Sequence, residues 1–276
     1  MTGLSETLAD WLARGEAAIL VTVAETRGST PREVGAAMLV TRTETRGTVG
    51  GGRLEWTAVE RARAMLVEGV SADRLDLPLG PAIGQCCGGH VALTLERADA
   101  ATVLALAEGE RRAADARPTL MLFGAGHVGK AMATAFAPLP LRLRWIDSRA
   151  GEFPEVIPPR VERIVTDRPL DHLAQAPAGA GYLVLTHSHA LDFDLTDAAL
   201  RRGDAAYVGL IGSATKRSRF ERWSAARDRA PSLLSRLTCP VGAALTGDKR
   251  PEVIAALVAA EALVAFAGRR GQSARG

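Results

Sequence analysis

The chain has 276 residues, of which 47% are hydrophobic, 24% charged and 4% aromatic, and its net charge is +3. This length allows two domains with ordinary hydrophobic cores. The basic residues are dispersed among nearly as many acids, which argues against nucleic-acid binding. Three cysteines, an odd number, argue against a disulfide framework, and the N-terminus lacks a signal-peptide pattern. We therefore expect a cytoplasmic protein with free thiols.

Residues 1–100 are predicted to form a small N-terminal α+β domain. An amphipathic helix over 4–15 precedes apolar strands over 17–26 and 37–42, and further strands surround a cysteine-containing loop. Residues 101–118 then read as a helical linker, because they keep helical periodicity before turning polar.

Three glycine-rich loops of this first domain have the composition of ligand-binding loops. In the triple-glycine loop the backbone N–H groups are expected to be available to an anion, although any one of the three loops can be a tight turn. The loops are RGSTPRE with Arg32, GTVGGGRLE with Gly51 and Gly52, and GQCCGG with Gln85, Cys86, Cys87 and Gly88.

The adjacent cysteines in GQCCGG can serve as core packing, a disulfide, a metal site or a sulfur carrier. Flanking glycines weaken the packing interpretation, because buried structural cysteines usually lie among aliphatic residues. Side chains of neighbouring residues on an extended backbone point to opposite sides, so only one of Cys86 and Cys87 is expected to face a ligand.

Residues 119–276 alternate strands and helices, which predicts a Rossmann-like parallel sheet covered on both faces. The first strand runs into GAGHVG, where Gly124, Gly126 and Gly129 have the spacing of a phosphate-binding turn. Asp147 ends the second strand, where it is expected to accept hydrogen bonds from a ribose or another diol. The fold class is therefore α/β, with the smaller α+β domain in front.

Polar side chains follow five predicted strands and should collect at one edge of this sheet. They include His127, His187, His189 and Lys216. His187 and His189 lie two residues apart and Asp192 follows, which leaves a zinc site open as an alternative to ligand-orienting histidines.

The most apolar segment, residues 253–268, carries Glu261 in its middle and is short for a bilayer. We expect it to form a helix packed against the sheet, and we expect no association with a membrane.

A set of ordered motifs spread over essentially the whole chain resembles one known family, the xanthine dehydrogenase accessory proteins of the XdhC/CoxI type. The motifs are RGSTPREVGA, GxxGGGxLE, GQCCGG, FGAGHVG, THSHALD, GLIGSATKR and CPVG. The resemblance implies a small N-terminal domain joined to a Rossmann-like domain, often in a homodimer. It also implies an accessory protein rather than an enzyme.

What the resemblance implies for function is a molybdenum cofactor chaperone. Such a protein receives molybdopterin-bound molybdenum from a cofactor biosynthesis protein and holds it while a cysteine desulfurase supplies the terminal sulfido ligand. It then delivers the cofactor to apo xanthine dehydrogenase. One of Cys86 and Cys87 would contact molybdenum, which accepts soft thiolate donors. The other cofactor-binding candidates are Gln85, Gly88, Gly124, Gly126, His127, Gly129, Asp147, Arg32, Gly51, Gly52, His187, His189 and Lys216.

Two other functions stay open at this point. An NAD(P)-dependent oxidoreductase would use the GAGHVG turn and Asp147, although no proton donor paired with a substrate-binding arginine is evident. A metal-dependent hydrolase would use His187, His189 and Asp192.

Overall fold

The computed structural model describes residues 3–79, 88–242 and 248–273. The chain divides into two compact units after Asp115. The fold class expected from the sequence is confirmed, because an antiparallel sheet forms the first unit and a parallel sheet forms the second.

The first unit contains a five-stranded sheet with the strand order β3-β2-β1-β5-β4, in which every described pairing is antiparallel. Its elements are α1 (Leu4–Ala13), β1 (Ile19–Arg27), β2 (Ala37–Val40), β3 (Thr45–Gly47), α2 (Gly52–Glu68), β4 (Ala72–Leu79), β5 (Gly89–Arg97) and α3 (Ala100–Asp115). Alternate residues of β1 face opposite sides of the sheet. Val21 joins the core under α2, and Leu20 packs on the α1 side.

The segment predicted as a helical linker over 101–118 forms α3, which packs on α1 within the first unit. The carboxylate of Glu110 in α3 accepts hydrogen bonds from the backbone N–H of Ser5, at 3.2 Å, and from the Ser5 hydroxyl. A negative charge at this position also favours the start of α1, because the N-terminus of a helix carries partial positive charge.

The second unit contains a six-stranded parallel sheet with the strand order β11-β10-β9-β6-β7-β8. Its elements are β6 (Thr119–Phe123), α4 (His127–Phe136), β7 (Arg142–Asp147), β8 (Val161–Val165), α5 (Pro169–Ala174), β9 (Gly181–Val184), α6 (His189–Arg201), β10 (Tyr207–Leu210), α7 (Ala214–Ala225), β11 (Leu237–Thr238) and α8 (Pro251–Ser273). The chain runs outward from β6 to β8, returns to β9 and runs outward to β11. The order therefore reverses between β6 and β9, where such sheets open a crevice at the carboxyl ends of their strands.

Both faces of the parallel sheet are covered, as the buried residues of β6 require. Leu120 and Leu122 pack in the core formed with α4 and α8, while Met121 and Phe123 pack in the core formed with α5, α6 and α7. A near-continuous apolar strand of this kind is typical of a parallel sheet buried on both sides.

Helix α8 is buried on one side and carries exposed apolar side chains on the other. Val258 and Phe266 pack in the core, whereas Val264 is 73% exposed. Within the described chain, one helical stretch, Pro251–Arg269, is long and apolar enough to cross a bilayer, and 28% of its apolar window is buried. A single helix of this kind is weak evidence, because the core helix of a globular domain passes the same test. The acid in its middle, Glu261, accepts a hydrogen bond from the Tyr207 hydroxyl at 2.9 Å.

The two tyrosines of the chain differ in one respect. The hydroxyl of Tyr182 is buried without a hydrogen-bond partner among the described residues, and burial raises its pKa to about 12. Replacing Tyr182 by Phe removes an unsatisfied polar group, so we expect the free energy of unfolding to stay unchanged or rise by up to about 1 kcal/mol. Tyr207→Phe is the matched control and should lose about 1 kcal/mol, because it breaks the bond to Glu261.

Urea unfolding of both variants measures the difference, provided that the m-value stays unchanged. A loss at Tyr182→Phe as large as that at Tyr207→Phe would contradict the expectation.

Candidate functional site

The glycine turn that follows β6 contains three glycines, and two of them are required by the packing of the protein itself. A Cβ on Gly124, whose φ is +123°, would lie 2.2 Å from the Leu185 carbonyl oxygen. A Cβ on Gly129 would lie 2.1 Å from the Gly124 carbonyl oxygen. Gly126 differs, because its φ is −67° and no described atom lies within 4 Å of its Cβ position. The space beside Gly126 is therefore open to a ligand.

The helices beginning at this edge differ in how their N-termini are capped. Ser188 caps α6 and Ser213 caps α7, each by accepting a hydrogen bond from the backbone N–H of the third residue of its helix. Gly126 occupies the same position in α4, where no described side chain makes a cap. The first N–H groups of α4 thus keep the partial positive charge that favours an anion.

Strand β7 holds the glycine turn in place. The indole Nε1 of Trp145 donates to the Gly124 carbonyl at 2.9 Å, and the Gly124 N–H donates to the Ile146 carbonyl at 2.8 Å. The Ala125 N–H donates to Oδ2 of Asp147 at 2.7 Å. All three bonds come from consecutive residues of one strand, so the turn has a single fixed position.

Asp147, predicted to bind a ribose or another diol, is occupied within the protein. Besides the bond from Ala125, its carboxylate accepts bonds from Arg149 through the backbone N–H at 2.9 Å, Nε at 3.0 Å and Nη2 at 2.9 Å. The side chain of Asp147 is 3% exposed. A diol could reach this carboxylate only by displacing the Arg149 guanidinium.

A cavity of about 300 Å³ opens at the carboxyl ends of β6, β7, β8 and β9. Its described lining combines apolar walls with hydroxyl and carboxylate groups, as expected for a site that binds a small organic ligand. The lining residues are Phe123, Ile146, Asp147, Ser148, Thr166, Asp167, Pro169, Thr186, His187, Ser188 and Leu191. Of the predicted site residues, the structure thus brings Asp147 and His187 together.

The histidine pair does not form a metal centre with Asp192. Within the described ranges no group of three or more His, Cys, Asp or Glu side chains is placed to hold a metal ion. Asp192 is 1% exposed, and its Oδ1 accepts bonds from the Thr186 N–H and hydroxyl, both at 2.8 Å. His187 and His189 are both exposed. The hydrolase alternative therefore finds no support in this geometry.

Lys216, another predicted ligand-binding residue, is committed to Asp192. Its Nζ lies 2.5 Å from Oδ2 of Asp192, and its side chain is 13% exposed. The aliphatic part of Lys216 covers Gly212, because a Cβ on that glycine would lie 2.6 Å from the lysine Cδ.

His127 is the first residue of α4, next to Gly126, and its side chain is exposed. It lines a groove between α4 and α8 together with Lys130, whose Nζ lies 3.6 Å from the Glu152 carboxylate.

In the first unit, the loop containing Arg32 adjoins parts of the other two glycine-rich loops. Ser29 bridges to Gly88, and a Cβ on Gly50 would lie 2.5 Å from Cγ of Pro31. Arg32 itself is exposed. The predicted residues Gln85, Cys86 and Cys87 lie outside the described residues.

The triple-glycine loop, predicted to offer its N–H groups to an anion, already binds a carboxylate of the protein. Oε2 of Glu55 accepts bonds from the N–H groups of Val49 and Gly51, both at 3.2 Å. The Gly50 N–H donates to the Thr48 hydroxyl at 3.1 Å. The expectation for Gly51 is therefore corrected. Gly52 begins α2, and its side-chain position is exposed.

The sequence motifs contain Glu55 and Arg149, but the roles of these two residues as partners of the loop and of Asp147 were not predicted. Both gave a local signal, because Glu55 is an acid in the first turn of a helix and Arg149 follows Asp147 by two residues. Acids in a first turn commonly bind the N–H groups that precede the helix.

The sheet order, the crevice and the uncapped glycine turn define a Rossmann-type ligand-binding unit. Residues 120–262 match the family described as the XdhC Rossmann domain, and residues 11–77 match the family described as XdhC and CoxI. The chain belongs to the XdhC and CoxI family, which confirms the resemblance drawn from its motifs.

The relatives of this chain include a curated protein and a solved structure. The uncharacterized protein YqeB of Escherichia coli strain K12 is 27% identical over 248 residues, which are 88% of this chain and 42% of that protein. The chain thus spans about two fifths of the length of this relative. A protein from Bacillus halodurans described as a xanthine dehydrogenase is 18% identical, with a TM-score of 0.78 over 97% of both chains. This second similarity establishes the fold.

The carboxylate of Asp147 should make the protein sensitive to acid. Burial raises the pKa of Asp147, but the hydrogen bonds from Arg149 and Ala125 outweigh burial and hold the pKa below its usual value. The carboxyl group of an aspartate in the unfolded chain has a pKa of about 3.9. The stabilisation is therefore fully present above that pH and is lost as the pH falls through the lower folded pKa. Asp147→Asn should cost at least about 1.5 kcal/mol at pH 7 and flatten the pH dependence of unfolding below about pH 4.

The measurement is urea unfolding from pH 7 to pH 2. Asp171→Asn is the control, because the Asp171 side chain is 47% exposed in its pair with Arg168 and should change little. Equal pH profiles for wild type and Asp147→Asn would contradict the assignment.

Proposed function

We propose that this protein carries molybdenum cofactor during the maturation of xanthine dehydrogenase. It binds molybdopterin-bound molybdenum, keeps it available while a cysteine desulfurase supplies the terminal sulfido ligand, and passes it to apo xanthine dehydrogenase. These steps are what membership of the family implies. The observation that supports the proposal in this chain is the uncapped turn at Gly126, with open space beside it.

The phosphate of the cofactor is proposed to bind at the start of α4. Two glycines of the turn are explained by packing, whereas Gly126 is not, so a ligand approaching its backbone accounts for the third glycine. The triple-glycine loop is a poorer candidate, because Glu55 already accepts two of its N–H groups. His127 and Gly129 belong to this proposed phosphate site through their backbone.

The pterin is proposed to bind in the cavity beside the turn. Its described lining supplies the hydroxyl of Thr166 and the carboxylate of Asp167 in the loop after β8, and the hydroxyl of Thr186 in the loop after β9. A flat heterocycle rich in donors and acceptors needs such groups between apolar walls, which Phe123 and Leu191 supply.

The thiols of Cys86 and Cys87 are proposed to hold molybdenum, or to receive sulfur for it. The support comes from the sequence, which surrounds the two thiols with glycine, and from the affinity of molybdenum for soft thiolate donors. Arg32 and Gly88 belong to the same proposed region, since the loop before Arg32 bridges to Gly88. A nearby arginine would favour the thiolate form.

An NAD(P)-dependent oxidoreductase is the second candidate, favoured by the Rossmann order of the sheet. Its diol-binding residue would be Asp147, which is occupied by Arg149. We therefore rank it below the carrier.

The donor is a molybdenum cofactor biosynthesis protein, the carrier is a homodimer, and it works in the cytoplasm. Size-exclusion chromatography with light scattering tests the dimer, and affinity capture with purified apo xanthine dehydrogenase tests the recipient.

Co-expression with the cofactor pathway tests the carrier function directly. The purified wild-type protein should contain molybdenum and pterin in near-equal amounts, close to one per chain, measured by elemental analysis and by pterin fluorescence. The variants Cys86→Ala and Cys87→Ala, and the double variant, should lose most of the molybdenum or its sulfuration while the circular dichroism spectrum stays unchanged. The matched control is Cys239→Ser, because the Cys239 thiol is buried and burial raises its pKa.

Wild-type cofactor content and handover in both single variants and the double variant would remove the thiols from the mechanism. Absence of molybdenum and pterin from the wild type, together with a shift of reduced-nicotinamide fluorescence at micromolar protein, would favour the oxidoreductase.

The phosphate position is tested by Gly126→Val. A Cβ at this position has no described atom within 4 Å, and the valine methyl groups would fill the proposed phosphate position. We therefore expect at least a tenfold loss of bound pterin at nearly unchanged stability. Gly151→Val is the control, since Gly151 also has open space at its Cβ position. Unchanged pterin content in Gly126→Val would move the phosphate elsewhere.

A further inference from the structure

A Rossmann sheet consists of two halves, each of which can bind one mononucleotide, and a dinucleotide lies across both. Here the first half is β6, β7 and β8, and the second is β9, β10 and β11, with the order reversing between β6 and β9. Among the described residues, the first half of this crevice contains an open cavity, whereas an ion pair spans the second half.

The first half is open. Its cavity of about 300 Å³ is lined by residues at the ends of β6, β7 and β8, by the start of α5, and by the loop after β9 with the start of α6. Its turn has room beside Gly126. No residue after β10 belongs to the described lining of this cavity.

The second half is closed by an ion pair. Lys216 in the first turn of α7 reaches Asp192 in the first turn of α6, so the pair crosses from the end of β10 to the end of β9. Thr186, two residues after β9, donates to the same carboxylate through its backbone N–H and its hydroxyl. The lysine stem lies against Gly212, two residues after β10. The ion pair therefore bridges the loops that follow the two strands.

This ion pair resists displacement by a ligand. Asp192 is 1% exposed, and the side chain of Lys216 is 13% exposed. Removing the lysine from its partner leaves a buried carboxylate without its countercharge, which is strongly unfavourable. A second nucleotide lying against β9 and β10 would have to separate the two.

We infer that the Rossmann unit binds a phosphate monoester of a single heterocycle, of the size of one nucleotide, and that the second half of a dinucleotide gains no binding energy. The inference rests on the proposed function only in placing the phosphate at Gly126. Two sources share this chemistry, a purine mononucleotide and molybdopterin itself. The dinucleotide form of molybdopterin and NAD⁺ both extend beyond the open half.

The test compares single and double forms of both ligand types on the full chain. Isothermal titration calorimetry, under anaerobic conditions for the pterins, measures affinities for AMP, NAD⁺, molybdopterin and molybdopterin dinucleotide. We expect binding of AMP or molybdopterin, with the corresponding dinucleotide bound no more tightly. A dinucleotide bound at least tenfold more tightly than its single form overturns the inference, as does the absence of binding by all four.

The same experiment separates this inference from the carrier function. Preference for AMP with no binding of molybdopterin keeps the size limit and refutes the pterin site. Preference for molybdopterin over its dinucleotide form supports both. Tenfold tighter binding of molybdopterin dinucleotide overturns the size limit and keeps the carrier.

A double variant tests the cause of the size limit. Lys216→Met combined with Asp192→Asn removes both charges at similar side-chain length, and the amide can still accept from Thr186. We expect the affinity ratio of NAD⁺ to AMP, or of the two pterin forms, to rise at least threefold. Lys249→Met is the control and should leave the ratio unchanged, because the Lys249 side chain is exposed and lies just before the start of α8. An unchanged ratio in a folded double variant overturns the role of the ion pair.

Discussion

The bonds between β7 and the glycine turn constrain everything else at the crevice. Trp145, Ile146 and Asp147 are consecutive, and each holds one backbone group of the turn. Because β7, the strand next to β6, holds the turn, the first N–H groups of α4 have a fixed position at the carboxyl end of the sheet. A phosphate site made of backbone requires this rigidity, since it has no side chain that can adjust.

The use of Asp147 for this purpose changes the meaning of the nucleotide-binding pattern. In the pattern, an acid after the second strand binds the sugar of a dinucleotide. Here the same acid joins the turn to Arg149 and has a structural role. A chain can therefore keep the spacing of a dinucleotide site while its carboxylate stabilises the loop itself.

The fold was predictable because it depends on local periodicity. Alternating strands and helices after residue 118 and the glycine spacing at Gly124, Gly126 and Gly129 were sufficient to predict the parallel sheet and its crevice. The pairing of Lys216 with Asp192 was not predictable, because 24 positions separate them and only the adjacency of β9 and β10 brings them together. The bonds between Asp147 and Arg149 were missed for another reason. The same sequence pattern fits a carboxylate that binds a sugar and a carboxylate that binds a nearby arginine.

Glu55 binds backbone N–H groups of the triple-glycine loop that would otherwise be available to an anion from solution. A run of exposed N–H groups attracts any small anion, including free phosphate at cellular concentration. The Glu55 carboxylate accepts hydrogen bonds from the N–H groups of Val49 and Gly51, and it cannot dissociate because it belongs to the same chain. These two N–H groups are therefore not available to compete for phosphate. Replacing Glu55 by an uncharged residue would be the first step in turning this loop into a second anion-binding site.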